Sequence, residues 1–306
     1  MTSRLVRSTG PLAPDVREQV VALAVRATLA DGTPPLSEQF RLGVAAGPLV
    51  SHLVALDQDS GAAVGYAQVD APHAQRPAAE LVVDPGRRRA GIGTLLLNAL
   101  PAATHVWAHG DVPAATAFAG ARGLTVVREL HRMVLDLAAA TLPALPAVPG
   151  LLLRPFEPGR DEDEWLRVNA RAFASHPEQG ALTRTDLGLR MAEPWFEPAG
   201  LLLLVPEGAP DRIAAFHWTK IADPGRADGE VYVVGVDPAY QGHGLGRAAT
   251  LAGLHHLRER GVRHVGLYVD GDNAPALGTY RSLGFSADGT DRMFRRDGAD
   301  TVVRNP

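Results

Sequence analysis

Residues 234–246 read VGVDPAYQGHGLG, and this stretch decides the fold. β-Branched residues before Asp237 and Pro238 predict a strand that ends there. Glycines then leave backbone N–H groups uncovered, and the apolar spacing from residue 245 onward predicts a helix. The loop amides can donate hydrogen bonds, and the helix N-terminus carries a partial positive charge. The segment therefore suits an anionic group such as a diphosphate. Taken alone, it is also consistent with an ordinary tight turn between a strand and a helix.

A second copy of this pattern occurs in the first half of the chain, where residues 81–93 read LVVDPGRRRAGIG. Pro85 and Gly91 match Pro238 and Gly244, 153 residues later. Such a repeat predicts two copies of one structural unit. We therefore predict an α/β (α+β) fold of two tandem units, each a mostly antiparallel mixed sheet flanked by helices. The predicted domains are residues 1–138 and 151–306, joined at 139–150 by a linker containing three prolines.

Hydrophobic periodicity and turn residues give a similar order of elements in both halves. In the first half they predict a helix at 13–29, strands at 50–57, 62–69 and 79–84, a helix at 91–103, a strand at 104–108, a helix at 112–122 and a strand at 124–136. In the second half they predict a strand at 151–156, a helix at 161–173, strands at 199–205, 211–219 and 229–237, a helix at 244–260, a strand at 263–270, a helix at 274–283 and a final strand.

Composition narrows the functional classes. The chain has 306 residues, of which 46% are hydrophobic and 21% charged, enough for packed cores. A net charge of −4 gives no support to nucleic-acid binding, and the absence of cysteine excludes disulfides and a cysteine nucleophile. No window has the ~20 apolar residues of a membrane span, and the start lacks a signal peptide. We expect a cytoplasmic monomer without a membrane or nucleic-acid partner. The eleven histidines show no metal-ligand spacing, so no metal is expected.

Two common glycine-loop classes do not fit residues 234–246. A dinucleotide site needs Gly-x-Gly-x-x-Gly after the first strand of a parallel unit, and a nucleotide P-loop needs Gly-Lys-Ser/Thr. The loop, together with residues 273–285 (NAPALGTYRSLGF), instead resembles the Gcn5-related N-acetyltransferase (GNAT) family. The resemblance implies acetyl-CoA as the co-substrate, held by a strand along its pantetheine arm and by the loop at its pyrophosphate.

The residues that this resemblance assigns to acetyl-CoA fall in both halves. In the second half they are Val234, Gly235, Val236, Gln241, Gly242, His243, Gly244, Leu245, Gly246, Arg247, Asn273, Ala274, Pro275, Ala276, Leu277 and Gly278. In the first half they are Leu81, Val82, Val83, Arg89, Ala90, Gly91, Ile92, Gly93 and Thr94. The arginines at 87–89 add cationic groups suited to phosphate.

A narrower resemblance covers both halves. Residues 176–180 (HPEQG), 217–220 (HWTK) and 229–238 (GEVYVVGVDP) resemble the mycothiol acetyltransferases, which are tandem GNAT proteins. That family acetylates the cysteinyl amine of 1-D-myo-inositol 2-(L-cysteinylamino)-2-deoxy-α-D-glucopyranoside, a small-molecule thiol sugar. The resemblance assigns the acceptor to Glu38, Glu178, Lys220, Glu230 and Tyr268. Glu38 and Glu178 can equally be ordinary surface residues, and a role for Glu38 requires the two halves to face each other across the acceptor.

Acetyl transfer to an amine requires a base for the amine and benefits from an acid for the leaving thiolate. The resemblance places the base at Glu230, which begins the strand before the loop. A solvated glutamate at a strand start is the alternative. Tyr280 is the candidate acid, with a packing tyrosine as the alternative. Phe118 occupies the matching position in the first half and cannot donate a proton, so we predict that only the second half catalyses, while the first can still bind acetyl-CoA.

Two other functions share these features. The same core would serve an acetyltransferase acting on a different small-molecule amine or on a protein N-terminus. An acetyl-CoA-sensing module without catalysis is a third hypothesis, which Phe118 favours for the first half and which Glu230 and Tyr280 disfavour for the whole chain.

Overall fold

The computed structural model describes residues 3–46, 50–70, 77–223, 225 and 227–296, without the side chains of residues 45, 46, 177 and 178. Its contacts divide the chain into two compact units. Unit 1 comprises Met1–Glu129 with Thr290–Pro306, and unit 2 comprises Leu130–Gly289. The predicted domain boundaries at 138 and 151 stay a prediction. Within the described residues, no helix is long and apolar enough to cross a membrane.

Unit 1 contains the predicted elements in order, with two that were not predicted, the first strand and the second helix. Its strands are β1 (Ser3–Thr9), β2 (Val50–Asp57), β3 (Ala63–Asp70), β4 (Ala78–Val83) and β5 (His105–Ala108), and its helices are α1 (Pro14–Asp31), α2 (Glu38–Ala46), α3 (Ile92–Ala99) and α4 (Pro113–Ala121). The sheet order is β1-β2-β3-β4-β5, and the C-terminal residues of β12 (Ser286–Arg296) pair with β5. β4 and β5 run parallel, and the other neighbouring pairs are antiparallel.

Unit 2 repeats this plan. It contains the last residues of β6 (Leu124–Asp136), then β7 (Leu151–Pro155), β8 (Leu201–Pro206), β9 (Ala215–Lys220), β10 (Asp228–Val236) and β11 (His264–Asp270), with helices α5 (Glu162–Ala172), α6 (Pro177–Gly180), α7 (Arg184–Met191), α8 (Leu245–Glu259) and α9 (Ala274–Ser282). The order is β7-β8-β9-β10-β11-β6, with β10 and β11 parallel and the remaining pairs antiparallel. The predicted mixed, mostly antiparallel fold is confirmed.

Local signals explain most helix boundaries. Pro14 begins α1, where its missing N–H costs nothing, and Gly32 ends it with a φ of 73°. Acidic residues fill the first turn of α5 and favour the positive end of its dipole. Thr183 and Asp186 form a reciprocal capping box at α7. Residues 137–150 form neither helix nor strand, as their prolines predict.

Each sheet carries helices on both faces, and the two faces differ in their packing. In unit 2, Trp165 of α5 packs on one face with Phe216 and Trp218. The opposite face packs against α8 and α9 through residues such as Leu254 and Leu267. In unit 1, Leu96 of α3 packs on the corresponding face of its sheet.

Candidate functional site

An opening between two parallel strands is the central feature of unit 2. β10 and β11 pair from Asp228–His264 to Val231–Leu267, and their pairing ends there although both strands continue. Residues 232–236 therefore diverge from residues 268–270. Because the separated edges expose backbone groups that the ladder no longer uses, an extended polar chain can insert between them.

A β-bulge in β10 lies at the point of separation. Val231 pairs with Thr219 and Val233 with Trp218, so Tyr232 is one residue in excess. In a regular strand, side chains alternate between the two faces, and Val234 would lie on the same face as Glu230. The extra residue shifts this alternation, so the two side chains lie on opposite faces. Tyr232 and Val233 pack against the α5 face, whereas Val234 packs against the α8 face. Bulges disrupt the ladder locally and re-aim neighbouring groups, and they are frequent next to active sites.

The glycine loop follows β10 directly. Gly242 and Gly244 have φ angles of 82° and 74°, which L side chains rarely adopt, and no atom lies within 4 Å of a Cβ placed at either position. Gly244 is the N-cap of α8, and residues 241–244 are exposed. The loop amides and the helix N-terminus therefore form an open cradle, and its geometry fits the diphosphate of a coenzyme A thioester.

Asp237 anchors the start of this loop. Its carboxylate accepts a hydrogen bond from the Ala239 backbone N–H at 2.9 Å. It also accepts from Arg167 at 2.9 Å and from Arg171 at 3.1 Å, both on α5. Asp237 is 2% exposed, and although burial opposes the charged form, these hydrogen bonds lower the pKa of its carboxyl group. The loop is thus tied to α5 by a buried carboxylate.

The loop of unit 1 keeps the same backbone path with different side chains. Arg89 and Gly91 have φ angles of 65° and 82°, at positions that match Gly242 and Gly244. Its neighbouring arginines are engaged elsewhere. Arg87 pairs with Asp57 at 2.9 Å, and Arg88 pairs with Asp31 at 2.6 Å. Both guanidinium groups pair with carboxylates of unit 1, and their contact with phosphate stays a prediction.

The candidate base and the acceptor residue Lys220 lie opposite each other. Glu230 of β10 pairs in register with Lys220 of β9. The Lys220 ammonium lies 4.7 Å from the ring centre of Trp195 and 5.0 Å from that of Tyr232. Arg190 donates a hydrogen bond to the Tyr232 hydroxyl at 3.0 Å. Trp195 and Tyr232 thus form an aromatic cage, which holds the Lys220 ammonium beside the bulge.

Tyr280 lies on the other face of the sheet. It packs in the core of α9 and β11, with its ring 5.7 Å from that of Phe285. Burial raises the pKa of its hydroxyl to about 12. Val231 belongs to the same core, whereas Glu230, the preceding strand residue, points the opposite way. Glu230 and Tyr280 thus belong to opposite faces of the sheet that contains β10 and β11.

The remaining predicted residues have mixed placements. The Asn273 side chain accepts from the Ala276 N–H and caps α9, and Arg247 donates to the Ser282 hydroxyl at 2.7 Å. Tyr268 is 46% exposed on β11. Glu38 begins α2 in unit 1. Glu178 lies in α6, and its side chain is outside the described part of the chain.

In unit 1, β4 and β5 separate as β10 and β11 do, but the side chains that would act as base and acid are absent from the matching positions. β4 and β5 pair from Ala78–His105 to Glu80–Trp107, and β4 then continues alone. Its pairing with β3 is regular throughout, so this strand has no counterpart of the bulge at Tyr232. Ala78 occupies the strand position of Glu230. The expected match of Phe118 to Tyr280 is wrong by one residue, because the bounds of α4 and α9 and the left-handed glycines at 123 and 284 align Ala119 with Tyr280. In unit 1, neither position can transfer a proton.

Several functional candidates were missed in the sequence. Trp195 and Arg190, which complete the cage, belong to a region where no element was predicted. The pairing of Asp237 with Arg167 and Arg171 joins residues about 70 positions apart. A weak signal existed for α7, because Thr183 and Asp186 have capping-box spacing. No local signal identifies a contact between distant strands and helices.

The fold and this opening define unit 2 as a GNAT-type acetyltransferase core. The model of the acetyltransferase (GNAT) family matches residues 163–285. Over 297 residues the chain is 51% identical to the mycothiol acetyltransferase of Thermomonospora curvata, covering 95% of this chain and 97% of the relative. It is 47% identical to that of Nocardia farcinica, with 96% and 98% covered. The chain belongs to the mycothiol acetyltransferase family and is an N-acetyltransferase; GNAT enzymes use acetyl-CoA as the co-substrate.

Solved structures show the same fold at low sequence identity. A tandem GNAT protein from the clavulanic acid biosynthesis pathway has a TM-score of 0.69 at 22% identity, covering 95% of this chain and 98% of that chain. A GCN5-related N-acetyltransferase from Sphaerobacter thermophilus has a TM-score of 0.66 at 22% identity, with 96% of both chains covered. The predicted tandem GNAT fold is confirmed.

Proposed function

We propose that this enzyme transfers the acetyl group of acetyl-CoA to the cysteinyl amine of 1-D-myo-inositol 2-(L-cysteinylamino)-2-deoxy-α-D-glucopyranoside, which gives mycothiol. The observation that carries the proposal is the opening between β10 and β11, with Glu230 on one face and Tyr280 on the other. The names of the relatives, which match nearly their full lengths, supply the product class.

Glu230 is the proposed base. An α-amino group has an unperturbed pKa of about 8, so a carboxylate near the acceptor, directly or through one water, is sufficient to remove its proton. The amine nitrogen then attacks the thioester carbonyl carbon. Backbone N–H groups near the bulge are suited to stabilise the oxyanion, because the extra residue disrupts the ladder there.

Tyr280 is the proposed acid. As the carbon–sulfur bond breaks, the leaving thiolate takes the hydroxyl proton. The raised pKa of this buried tyrosine keeps it protonated before transfer. Because Tyr280 lies on the α9 face and Glu230 on the opposite face, the two protons are handled on different sides of the thioester.

The acceptor contacts remain those that the family resemblance assigns. We propose Glu38, Glu178, Lys220 and Tyr268, with Glu230, as the residues that bind the thiol sugar. Lys220 is a donor that the cage of Trp195 and Tyr232 holds in place. Carboxylates suit the ammonium and hydroxyl groups of such an acceptor.

Turnover with the purified cysteinyl pseudodisaccharide tests the assignment. We expect CoA release coupled to formation of the acetylated product, and a raised acceptor KM for Lys220→Met with an unaltered KM for acetyl-CoA. A surface substitution such as Arg4→Met serves as the control. Turnover with another amine but none with this acceptor would support the alternative of an acetyltransferase with a different small-molecule or protein N-terminal substrate.

Unit 1 is proposed to bind acetyl-CoA without turning it over. Its loop keeps the backbone conformation of a diphosphate cradle even where Arg89 replaces a glycine. Its strand opening is retained, and the positions of base and acid hold Ala78 and Ala119. We therefore expect unit 1 to bind acetyl-CoA without transferring its acetyl group.

A further inference from the structure

A buried polar layer lies in unit 1 between the sheet and α2. His52 on β2, Tyr66 and Gln68 on β3, and Glu80 on β4 are each at most 1% exposed. The His52 ring nitrogen Nδ1 lies 2.6 Å from the Tyr66 hydroxyl, which donates to the Gln68 side-chain oxygen at 2.8 Å. Gln68 in turn lies against Gly43 of α2, where a Cβ would be 2.4 Å from its amide nitrogen. These side chains fill space that a core normally gives to apolar groups.

Unit 2 shows that the fold does not require this polarity. In unit 1, Gln68 of β3 pairs with Glu80 of β4. The pair at the same strand positions of unit 2 is Trp218 with Val233. The strand register also matches His52 and Tyr66 to two further apolar residues, Leu201 and Phe216. All four counterparts belong to the apolar core against α5. Because buried polar networks are sensitive to any lost partner and apolar replacements are often at least as stable, a polar layer here indicates a specific task.

One branch of this layer leads to the start of α2. The Asp291 carboxylate lies 2.7 Å from His109 Nδ1, and His109 Nε2 lies 2.8 Å from one oxygen of Glu80. The other oxygen of Glu80 accepts the Ser37 backbone N–H at 2.7 Å. Because both ring nitrogens of His109 face carboxylates, both must donate, so the ring is an imidazolium. The charged network of Asp291, His109 and Glu80 thus ends at the backbone N–H of Ser37.

Ser37 immediately precedes α2, which begins at Glu38. The Ser37 carbonyl accepts from the Arg41 N–H at 2.9 Å, which starts the helix. Leu36, Phe40 and Val44 are buried, so the helix is fixed along one side as well. The position of the Glu38 backbone is therefore set by the hydrogen bond between Ser37 and Glu80.

We propose that Glu80, His109 and Asp291 are positioning residues that hold Glu38 in place for the acceptor. This inference rests on the proposed role of Glu38 in acceptor binding. None of the three touches the reacting atoms, and their effect passes through the Ser37 amide. It also gives a purpose to the buried charge of Glu80, for which unit 2 has the apolar Val233.

Steady-state kinetics of the full chain test the proposal. Glu38→Gln should raise the KM for the cysteinyl pseudodisaccharide by roughly tenfold, the size of one lost charge-assisted hydrogen bond. Glu80→Gln and His109→Gln should raise the same KM by several-fold, with kcat and the KM for acetyl-CoA within twofold of wild type. The double variant Glu38→Gln/Glu80→Gln should be no worse than Glu38→Gln alone, because both act through one contact.

Hydrogen exchange supplies a readout independent of activity. Glu80→Gln and His109→Gln should each increase deuterium uptake in a peptide spanning residues 34–44. The matched control is Tyr66→Phe, which removes a hydroxyl from the same buried layer without breaking the path from Asp291 to Ser37. It should leave both the acceptor KM and this uptake unaltered.

Two results would overturn the inference alone. One is a raised acceptor KM for Glu38→Gln together with a wild-type acceptor KM for Glu80→Gln and His109→Gln, or effects on this KM that are additive in the double variant. The other is an equal rise in acceptor KM for Tyr66→Phe, which would point to general loosening of unit 1. A wild-type acceptor KM for Glu38→Gln would remove the proposed role of Glu38 and this inference with it.

Discussion

Tyr280 of α9 corresponds in position to Ala119 of α4, and Phe118 lies one residue earlier. In unit 2 the Tyr280 hydroxyl is buried in an apolar core, and burial raises its pKa to about 12. A tyrosine with no nearby cation to lower its pKa is a proton donor throughout the neutral range. Ala119, which is also buried, has no hydroxyl, so unit 1 has no proton donor at this helix position.

Removing the Tyr280 hydroxyl should therefore affect rate and not structure. For Tyr280→Phe we expect kcat to fall by about 100-fold, the lower end of general acid catalysis. The dissociation constant for acetyl-CoA should stay within twofold, and the melting temperature should change little. Single-turnover kinetics with calorimetric titration of acetyl-CoA would measure both. An unchanged rate would remove Tyr280 as the acid and leave it as a packing residue.

At the scale of elements, prediction succeeded where the signal was local. The strand, glycine loop and helix at 234–260 follow from β-branched residues, a proline and the spacing of apolar residues. α2, α6 and α7 were missed because they are short and depend on packing against the sheet. The bulge at Tyr232 was missed for a different reason. It is a property of the pairing between two strands, and the sequence of β10 alone reads as regular alternation.

The anchor between α5 and the loop offers an element-scale prediction. Asp237→Ala removes the carboxylate that joins Arg167 and Arg171 to the Ala239 amide, and it leaves two guanidinium groups without this partner. We expect the KM for acetyl-CoA to rise roughly tenfold, since the loop loses a charge-assisted hydrogen bond. The acceptor KM should be unaffected.

Asp211→Ala is the control for this change. Asp211 pairs with Arg160 at 2.8 Å in the same unit, but its side chain is 83% exposed. Exposed ion pairs contribute little, so neither KM should move. Equal effects of the two variants would show that lost charge, and not the loop anchor, is responsible.

At the scale of the whole molecule, two buried histidines, one in each unit, should make stability depend on pH in opposite directions. In unit 2, burial lowers the pKa of His217 to about 4, and its ring lies within 2.0 Å of a Cβ placed at Gly253. In unit 1, burial alone would lower the pKa of His109, but Glu80 and Asp291 outweigh it and raise the pKa to about 10.

The signs follow from proton binding. Below pH 6.5 the unfolded chain protonates His217 and the folded unit does not, so stability falls by about 2 kcal/mol between pH 7 and pH 5. The stability from His109 is fully present below pH 6.5 and is lost as the pH rises toward 10. Thermal unfolding at pH 5, 7 and 9 should show a weaker acid dependence for His217→Gln and a weaker alkaline dependence for His109→Gln. Unaltered pH dependences in both variants would contradict this account.

Two loops should also hold two molecules of acetyl-CoA per chain. Titration of the wild type should give two binding events, with turnover at one site. Gly244→Val, at a φ of 74°, should abolish turnover and leave one event, whereas Gly91→Val, at 82°, should also leave one event but retain turnover. A single event in the wild type that Gly244→Val removes would show that unit 1 does not bind the co-substrate.

The regular pairing of β4 has a consequence for how the two units can change. Ala78→Glu, Ala119→Tyr and Arg89→Gly would each introduce the residue found in unit 2, and each requires only a substitution. Tyr232 is different, because it is an additional residue in the strand. In genetic terms, converting one unit into the other requires gaining or losing a whole codon in register with the partner strand. Point mutations can tune each unit, but they cannot exchange the roles of the two.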